Sequence, residues 1–488
     1  VDKLTVEDSP PAVTLASPVP SLKSVALTWS PYAGGDFQRY EIYRRDSSGV
    51  TWSDTRVASI ADSAATAFTD NGLSIGKTYH YRVYIVNTND TYAGSNEAQA
   101  TTVPLLPPLE DAFNDLSLWD TLGGWGIETN DAEVCLTDSP GVQYATYLNS
   151  GNNYALTAVD LTGTAWPVLR FKDRHAFYDV SSGDYGILDV SSDGSNWTRV
   201  YAVSGARAEW AEQAVDLSRW RGQANLHIRF YIESNGSGTG DGWHIDDVGV
   251  AEHAPGAVQA LPFVERFENG LGNWLNGGWI VSADAYEGTG AAEGYPCRWT
   301  ARNRARYWMV LDRELDLTGS TAPQVTLWAK RSQGDSYTRL HILISKDGGL
   351  GWRDLSGQIA QIAEWTRYQF AIPSDHRVAN LRLALCTYDH YGDTAAKLQV
   401  DKLTVEESPP AVTLETPTDV TVSGLSLAWS PYAGGDFQCY KVFRHTAQNV
   451  DETHTLVATI TDPDVTNFTD TALSARIRYF YKVYVYNT

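Results

Sequence analysis

The sequence is poor in cysteine, methionine and positive charge. Four cysteines and one methionine occur among 488 residues, and 37 lysines and arginines stand against 59 aspartates and glutamates, for a formal net charge of −22. A surface of this sign would repel a phosphate backbone, so nucleic acid is not expected as a partner. The cysteines show no Cys-x-x-Cys spacing, which argues against a zinc ribbon, and they are too few for a disulfide framework. Only Cys297 and Cys386 fall within one predicted domain, and a bridge between them stays open.

Long hydrophobic runs and known catalytic motifs are also missing. No apolar segment approaches the roughly 18 residues that a membrane-spanning helix needs, so no membrane span is expected in this sequence. It contains no His-Glu-x-x-His zinc motif, no Gly-x-Ser-x-Gly nucleophile motif and no phosphate-binding loop. The sequence therefore predicts a protein that is not an enzyme.

Aromatic residues, in contrast, are abundant. They make up 12% of the chain, with 17 tryptophans and 27 tyrosines, and they favour β-sheet surfaces over helices. Segments such as VALTW and VDKLTVE alternate apolar and polar residues with the period of a β-strand. Because 488 residues exceed what one hydrophobic core usually serves, several domains are expected. The predicted fold class is all-β, in the form of a string of β-sandwiches.

A long repeat indicates the domain order. The segment VDKLTVEDSPPAVTL at Val1 returns as VDKLTVEESPPAVTL at Val400, and inside this period a second duplication, shifted by 155 residues, places WHIDDVGVAE at Trp243 on LQVDKLTVEE at Leu398. VDKLTVE is therefore interpreted as the closing strand of a sandwich, and residues 1–9 as the last strand of a preceding one. We expect the chain to belong to a longer tandem array, because a lone strand leaves its backbone hydrogen-bonding groups unpaired.

The outer segments resemble a known family. In residues 10–106, VALTWSPY carries Trp29, RYEIYRR carries Tyr40, and TYHYRVYIVN carries Tyr79. These segments resemble strands of a fibronectin type III domain, a seven-stranded sandwich, with Tyr79 at the place of its corner tyrosine. The second copy, at residues 409–488, lacks the family's last strand and has the three aromatic residues as Trp429, Tyr440 and Tyr479.

The two middle segments, residues 107–256 and 257–408, share a different set of marks. Each opens with an acidic and aromatic strand (LEDAFND and VERFENG), continues to a Ser-x-Asp-Gly turn before a tryptophan, and closes with an Ile/Val-Asp-Asp/Lys-Val/Leu strand. In these marks they resemble bacterial jelly-roll sandwiches similar to MAM domains and to the C-terminal sandwiches of immune inhibitor A-type secreted peptidases. The resemblance implies two jelly rolls in tandem, and it assigns no function by itself.

The turn SKDGGLGW, residues 345–352, matches the Asp-box pattern of sialidase propellers. We interpret it as a hairpin in which Asp347 bonds its own turn, Gly348 and Gly349 adopt positive φ angles, and Trp352 covers the turn. A catalytic role is not expected for it.

Acidic residues recur where each jelly roll begins and ends. They are Glu110, Asp111 and Asp246 in the first jelly roll, and Glu265, Glu268 and Asp401 in the second. The resemblance implies that a calcium ion ties the first strand to the last, and carboxylate oxygens suit this hard cation. The alternative is that these carboxylates cap turns or face water. Structural calcium is the one cofactor predicted.

Aromatic side chains can also stack on sugar rings. The candidates are Trp119, Trp125, Trp274 and Trp279 in glycine-rich segments, together with Tyr178, Tyr185 and Trp299 in predicted loops. Because the duplication keeps the first four at equivalent positions, most of these rings are interpreted as core or hairpin residues, and no glycan-binding residue is assigned.

These observations predict a non-enzymatic extracellular protein, secreted or on the cell surface. Its sandwiches, joined head to tail, would form a stalk, a filament or an adhesin, and the expected partners are neighbouring copies or repeats and a cell-surface glycan. The alternative is a group of carbohydrate-binding accessory modules of a secreted hydrolase or peptidase.

Overall fold

The computed structural model describes residues 9–130, 133–141, 153–177, 184–234, 240–294, 307–333, 338–357, 359, 363–389, 397–434 and 437–487. Within these ranges the chain forms 37 β-strands, two single-turn 3-10 helices and no α-helix, which confirms the all-β prediction. None of the described residues form a helix that could cross a membrane. The strand predicted at residues 1–9 lies almost wholly outside the described residues and stays a prediction.

The chain divides into two compact units. The first runs through Gly319 and includes Val325–Val405, and the second combines Ser320–Gln324 with the residues from Glu406 onward. The first unit holds a small sandwich followed by two larger ones, named here sandwich A (strands from Leu109 to Glu252) and sandwich B (strands from Gly256 to Glu407). The domain boundaries predicted above stay predictions.

The small first sandwich has the fibronectin-like strands that the sequence predicts. Its eight strands are β1 Val19–Pro20, β2 Ser24–Thr28, β3 Phe37–Arg45, β4 Thr55–Ile60, β5 Ala67–Asn71, β6 Thr78–Asn87, β7 Tyr92–Gly94 and β8 Ala98–Thr101. One sheet has the order β1-β2-β5, and the other has the order β4-β3-β6-β7 with β8 also paired to β6. Trp29 and Tyr40 lie buried between the sheets. The hydroxyl of Tyr79 accepts a hydrogen bond from the Ser74 N–H at 3.1 Å, as expected of a corner tyrosine.

Sandwich A packs two antiparallel sheets around one core. Its strands are β9 Leu109–Asp111, β10 Asp120–Leu122, β11 Gly126–Asn130, β12 Glu133–Thr137, β13 Tyr154–Val159, β14 Pro167–Ala176, β15 Tyr185–Ser191, β16 Thr198–Val203, β17 Ala206–Asp216, β18 Leu226–Glu233 and β19 Gly242–Glu252, with a 3-10 turn at Ser218–Trp220. The sheet orders are β10-β13-β18-β15-β16 and β11-β12-β19-β14-β17, and the first strand, β9, pairs with the last, β19. Trp243 and Phe230 lie fully buried between the sheets.

Sandwich B repeats this topology. Its strands are β20 Gly256–Ala260, β21 Phe263–Glu265, β22 Trp274–Asn276, β23 Ile280–Ser282, β24 Ala291–Gly294, β25 Tyr307–Leu311, β26 Arg313–Asp316, β27 Pro323–Gln333, β28 Thr338–Ser345, β29 Arg353–Asp354, β30 Thr366–Ala371, β31 Arg382–Asp389 and β32 Lys397–Glu407, with a 3-10 turn at Ser374–His376. One sheet has the order β22-β25-β31-β28-β29 and the other β23-β24-β32-β27-β30. The segment VDKLTVE of residues 400–406 lies in β32, the last strand of sandwich B. This strand pairs with β21 near the start of the sandwich. The prediction that the segment is a closing strand is confirmed.

The last sandwich repeats the fibronectin-like core. Its strands are β33 Leu425–Ala428, β34 Phe437–His445, β35 Thr455–Ile460, β36 Asn467–Asp470 and β37 Phe480–Asn487, in the orders β33-β36 and β35-β34-β37. Trp429 and Tyr440 are buried, and the hydroxyl of Tyr479 accepts from the Ser474 N–H at 3.1 Å.

Candidate functional site

The acidic residues predicted to bind calcium lie beside the first and last strands, where they close turns. In sandwich A, Asp111 accepts from the Phe113 N–H at 2.8 Å and from the Trp119 indole N–H at 2.7 Å. In sandwich B, Glu265 accepts from the Phe267 N–H at 2.9 Å and from the Trp274 indole N–H at 3.2 Å. Both phenylalanines have positive φ angles, 52° and 57°. Each carboxylate thus stabilises a backbone conformation that non-glycine residues rarely adopt.

The closing strands contain a second duplicated turn. Asp246 accepts from the Asp247 N–H at 2.7 Å, and Asp401 accepts from the Lys402 N–H at 2.6 Å. Asp247 and Lys402 again have positive φ angles, 48° and 45°. Burial raises the pKa of the Asp401 carboxyl, although backbone N–H donors oppose the shift. Each carboxylate therefore stabilises a positive-φ residue in the last strand of sandwich A or of sandwich B.

The remaining two acidic residues differ in their surroundings. Glu268 accepts from the Thr289 N–H at 2.9 Å, and Glu110 is exposed. Among the described residues, no group of three or more histidine, cysteine, aspartate and glutamate side chains could hold a metal ion. The contacts match the turn-capping alternative, and the calcium site stays a proposal.

Calcium binding has a direct test. If calcium clips the first strand to the last, adding it to chelator-treated protein will raise the melting temperature, because a ligand at 100 times its Kd stabilises the folded state by about 2.7 kcal/mol. Calorimetry in calcium and in chelator checks this. Equal melting temperatures would remove the calcium proposal and leave the turn-closing role.

The aromatic residues considered for glycan binding are core residues where the structure describes them. Trp119, Trp125, Trp274, Trp279 and Tyr185 are all buried. Tyr178 and Trp299 lie outside the described residues. Cys297 does too, so whether it is bridged to Cys386 stays open. The buried rings cannot form a sugar-stacking surface.

The joint between the first sandwich and sandwich A is hydrogen-bonded through the backbone. The Leu105 N–H donates to the Ala158 carbonyl at 2.9 Å, and the Asp160 N–H donates to the Leu105 carbonyl at 2.7 Å. Lys23 adds a salt bridge to Asp120 at 3.1 Å. The linker residue Leu105 therefore forms a single parallel β-bridge to Val159 at the end of β13.

A glycine lets the first sandwich approach sandwich A closely. Gly76 has a φ of +67°, and a Cβ atom added there would lie 2.7 Å from the Ala158 Cβ. The Gly76 carbonyl also accepts a hydrogen bond from the Asn225 side-chain amide. In the last sandwich the equivalent residue is Arg476, which keeps the positive φ angle. The absence of a Cβ in the first copy fits this close contact.

The joint between sandwiches A and B has a hydrophobic core of its own. The buried residues of this joint core are Trp166, Val168 and Ala214 of A and Leu275, Val310, Leu343, Ala384 and Cys386 of B. All of them point away from the centres of their own sandwiches. Burying such side chains stabilises the contact by roughly 25 cal/mol per Å² of apolar surface.

A buried arginine ties the two sandwiches together. Arg382, on β31 of sandwich B, has a side chain only 1% exposed and forms a salt bridge with Asp216 of sandwich A at 3.1 Å. It also donates to the Ser218 hydroxyl at 2.7 Å, and its guanidinium lies 3.6 Å from the centre of the Trp166 ring. Burial lowers the pKa of Arg382, and the Asp216 carboxylate opposes that shift.

The Asp-box turn of sandwich B also contacts sandwich A. The predicted hairpin is confirmed: Gly348 and Gly349 have φ angles of +68° and +92°, and Asp347 accepts from the Gly351 N–H at 2.9 Å. The Gly348 carbonyl accepts from Arg382 at 2.8 Å and from Arg221 of sandwich A at 3.2 Å. The turn is thus both a hairpin and a part of the joint.

The linker between sandwiches A and B leads into the first strand of sandwich B, β20, which pairs with β26 at Gly256, Gln259 and Ala260. Strand β20 runs parallel to β26, and the Gly256 N–H donates to the Asp312 carbonyl at 2.9 Å. The Asp312 carboxylate also pairs with His253, whose ring packs edge-on against Trp166. Both linkers of the first unit are therefore held by strand pairing and side-chain contacts.

A partly exposed aromatic patch lies elsewhere on sandwich B, and the sequence did not single it out. Tyr286 stacks on Trp328 with ring centres 3.7 Å apart and planes 11° apart, and Trp365 lies 6.2 Å from Tyr286. Lys330 lies 4.8 Å above the Trp365 ring and pairs with Asp284 at 2.6 Å. The signal was present in TLWAKR, where the strand period places Trp328 and Lys330 on the face opposite Leu327 and Ala329. These five residues, Asp284, Tyr286, Trp328, Lys330 and Trp365, are called the aromatic patch below.

Comparison with known proteins bears on the first sandwich. Residues 9–101 match the fibronectin type III domain family. This match confirms the resemblance for that sandwich, while the likeness of A and B to MAM and immune inhibitor A-type domains stays a proposal. Bacillopeptidase F of Bacillus subtilis is 31% identical over 112 residues, which cover 22% of this chain and 8% of that protein. The chain thus matches only a small part of this relative.

Several solved structures share the β architecture. A tandem of CBM22 domains from Paenibacillus barcinonensis Xyn10C is 14% identical, covering 63% of this chain and all of that one, with a TM-score of 0.23. The fibronectin type III domain of human fibronectin type III domain containing protein 3 is 18% identical over 20% of this chain and 90% of that one, with a TM-score of 0.17.

Proposed function

We propose that this chain is a non-enzymatic extracellular scaffold that holds the three sandwiches of its first unit at fixed spacing, as a stalk, filament or adhesin requires. The observation that carries the proposal is the construction of the joints. Each linker of the first unit pairs with a strand, and the A–B joint adds a buried arginine and a hydrophobic core. Flexible polar linkers would instead let modules move independently.

Other observations support this role. The fibronectin type III match fits a modular architecture, and the partial similarity to Bacillopeptidase F fits a segment of a larger protein. Assembly with neighbouring copies is part of the proposal, because the repeat at Val1 and Val400 extends the same module order. What the whole protein does is likewise a proposal.

Fixed joints predict slow amide exchange in the linkers. The amides of Leu105, Asp160 and Gly256 donate to backbone carbonyls, so we expect them to exchange with deuterium as slowly as amides within the sheets. Hydrogen exchange with mass spectrometry on the whole chain measures this, and the exposed turn at Gly163 provides a fast-exchanging reference. Linker amides that exchange as fast as that turn would contradict the scaffold proposal.

A second candidate function is that of a carbohydrate-binding accessory module. The observation that favours it is the aromatic patch, because Tyr286 keeps 39% of its surface exposed while stacked on Trp328. Aromatic rings exposed in this way are large apolar surfaces available to a ligand. The two candidates are compatible, since a stiff array can present a binding sandwich at a fixed position.

A further inference from the structure

We propose that the aromatic patch of sandwich B is a binding site for a chain of neutral pyranose sugars. This inference rests on the carbohydrate-binding candidate above and is independent of the scaffold function.

The patch lies on the outward face of sheet β23-β24-β32-β27-β30. Along β27, Leu327 and Ala329 are fully buried in the core of sandwich B, so Trp328 and Lys330 point to the opposite face. Trp365, just before β30, lies beside Lys330. The strand period therefore brings the rings and the cation to one surface.

The aromatic rings of the patch are held in place before any ligand arrives. Tyr286 rests on Trp328, and its backbone N–H donates to the Asp401 carboxylate at 2.9 Å. Trp365 stands at 63° to the Tyr286 ring. A ring fixed in this way loses little conformational entropy when the apolar face of a sugar packs on it. The patch is thus preorganised for stacking.

The polar part of the patch supplies oriented acceptors. Lys330 is only 9% exposed, and its ammonium group lies 2.6 Å from both carboxylate oxygens of Asp284. The Asp284 side chain is 53% exposed, so its remaining lone pairs face solvent. They can accept hydrogen bonds from the hydroxyl groups of a sugar lying on Tyr286. Because the exposed group is a carboxylate, a neutral sugar is favoured over a uronic acid, which it would repel.

The duplicate sandwich shows that the fold does not need this ring stack. With Pro167 aligned on Pro323, sandwich A has Lys172 where B has Trp328, and Lys172 pairs with Asp247 at 2.7 Å. Sandwich A keeps the cation over a tryptophan, with Arg174 5.2 Å from the Trp210 ring. The cation–tryptophan pair is therefore shared, whereas Trp328 is particular to B. A large ring on a solvent-facing sheet position without a structural requirement points to a ligand.

The test is titration calorimetry of the whole chain with soluble neutral oligosaccharides of glucose, xylose, mannose and galactose, and with oligogalacturonate. We expect at least one neutral oligosaccharide to bind, and oligogalacturonate to bind more weakly. Tyr286→Ala will weaken binding about tenfold or more, since losing the stacking ring costs on the order of 1.4 kcal/mol. Asp284→Asn will weaken binding as well, and its melting temperature will show how much stability is lost when the buried Lys330 ammonium loses its counter-charge.

A matched control is available in the first sandwich. Tyr92 is 49% exposed and stacks on Trp52 with ring centres 4.4 Å apart, so Tyr92→Ala removes a similar ring far from the patch. We expect it to leave sugar affinity unchanged, and melting temperatures will show that each variant is folded.

The outcomes separate the two proposals. Neutral sugar binding that survives Tyr286→Ala would overturn this site while leaving the carbohydrate-binding candidate standing. No binding of any neutral oligosaccharide would overturn both, and preference for oligogalacturonate would overturn the neutral-sugar assignment. None of these results bears on the scaffold function, which the linker amides test separately.

Discussion

Replacing Arg382 by methionine will lower the free energy of unfolding of the joined sandwiches A and B by about 3–5 kcal/mol, because breaking a buried ion pair leaves its partner charge uncompensated. The partner is Asp216, whose side chain is only 7% exposed. Methionine can still pack against Trp166, so the expected loss reflects the charge and the lost hydrogen bonds more than lost volume.

Urea unfolding of the whole chain, followed by tryptophan fluorescence, measures this loss. The control is Arg353→Met, because Arg353 forms a salt bridge with Asp375 in which both side chains are about half exposed. Exposed pairs contribute only about 0–1 kcal/mol. If Arg382→Met behaves like Arg353→Met, the arginine does not hold the joint.

Gly349→Ala will destabilise the A–B joint by about 2–5 kcal/mol. An alanine at a φ of +92° is strained by roughly 1–2 kcal/mol, and its Cβ would lie 2.5 Å from the Arg382 guanidinium and 2.9 Å from the Ser218 Cβ of sandwich A. Relieving that overlap costs about 1–3 kcal/mol more. The same urea unfolding experiment measures the change.

Gly357→Ala shows the backbone strain of a positive φ angle without the steric contact that Gly349→Ala adds. Gly357 also has a positive φ angle, +63°, but nothing lies within 4 Å of an added Cβ. We therefore expect Gly357→Ala to show only the strain of about 1–2 kcal/mol. Equal losses in the two variants would mean that the turn does not press against sandwich A.

The sequence was informative where local pattern and repetition act together. Trp29 and Tyr79 have their expected places because a period-two strand with a corner tyrosine has few alternative packings. The Asp-box turn was predictable for a similar reason: Asp347 and the two glycines satisfy the turn within a few residues. Such features depend on neighbours in the chain.

The joints could not be predicted in the same way. Arg382 is the one polar residue of RLALC, at the start of the buried strand β31, and its partner Ser218 lies 164 residues away. No local rule distinguishes an arginine that enters a neighbouring sandwich from one that faces water. The same holds for Gly349, whose hairpin role was clear while its contact with sandwich A was not.

The candidate sites show a related limit. Trp119 and Trp274, picked for their glycine-rich surroundings, are core residues that donate to the carboxylates expected to bind calcium. Strand alternation alone predicts that Trp328 lies on the outer face of its sheet. Its part in the aromatic patch depends on Tyr286, which stacks on it from a separate loop. Residues that gain a role through tertiary contact need the structure to be recognised.

Hydrogen exchange along a urea gradient will show whether sandwiches A and B form one cooperative body through their joint. We expect amides in β17 of A and in β31 of B to open with the same free energy and the same urea dependence, and Arg382→Met to separate them. Strands of A and B that already open independently in the unaltered chain would mean that the joint does not couple the two sandwiches.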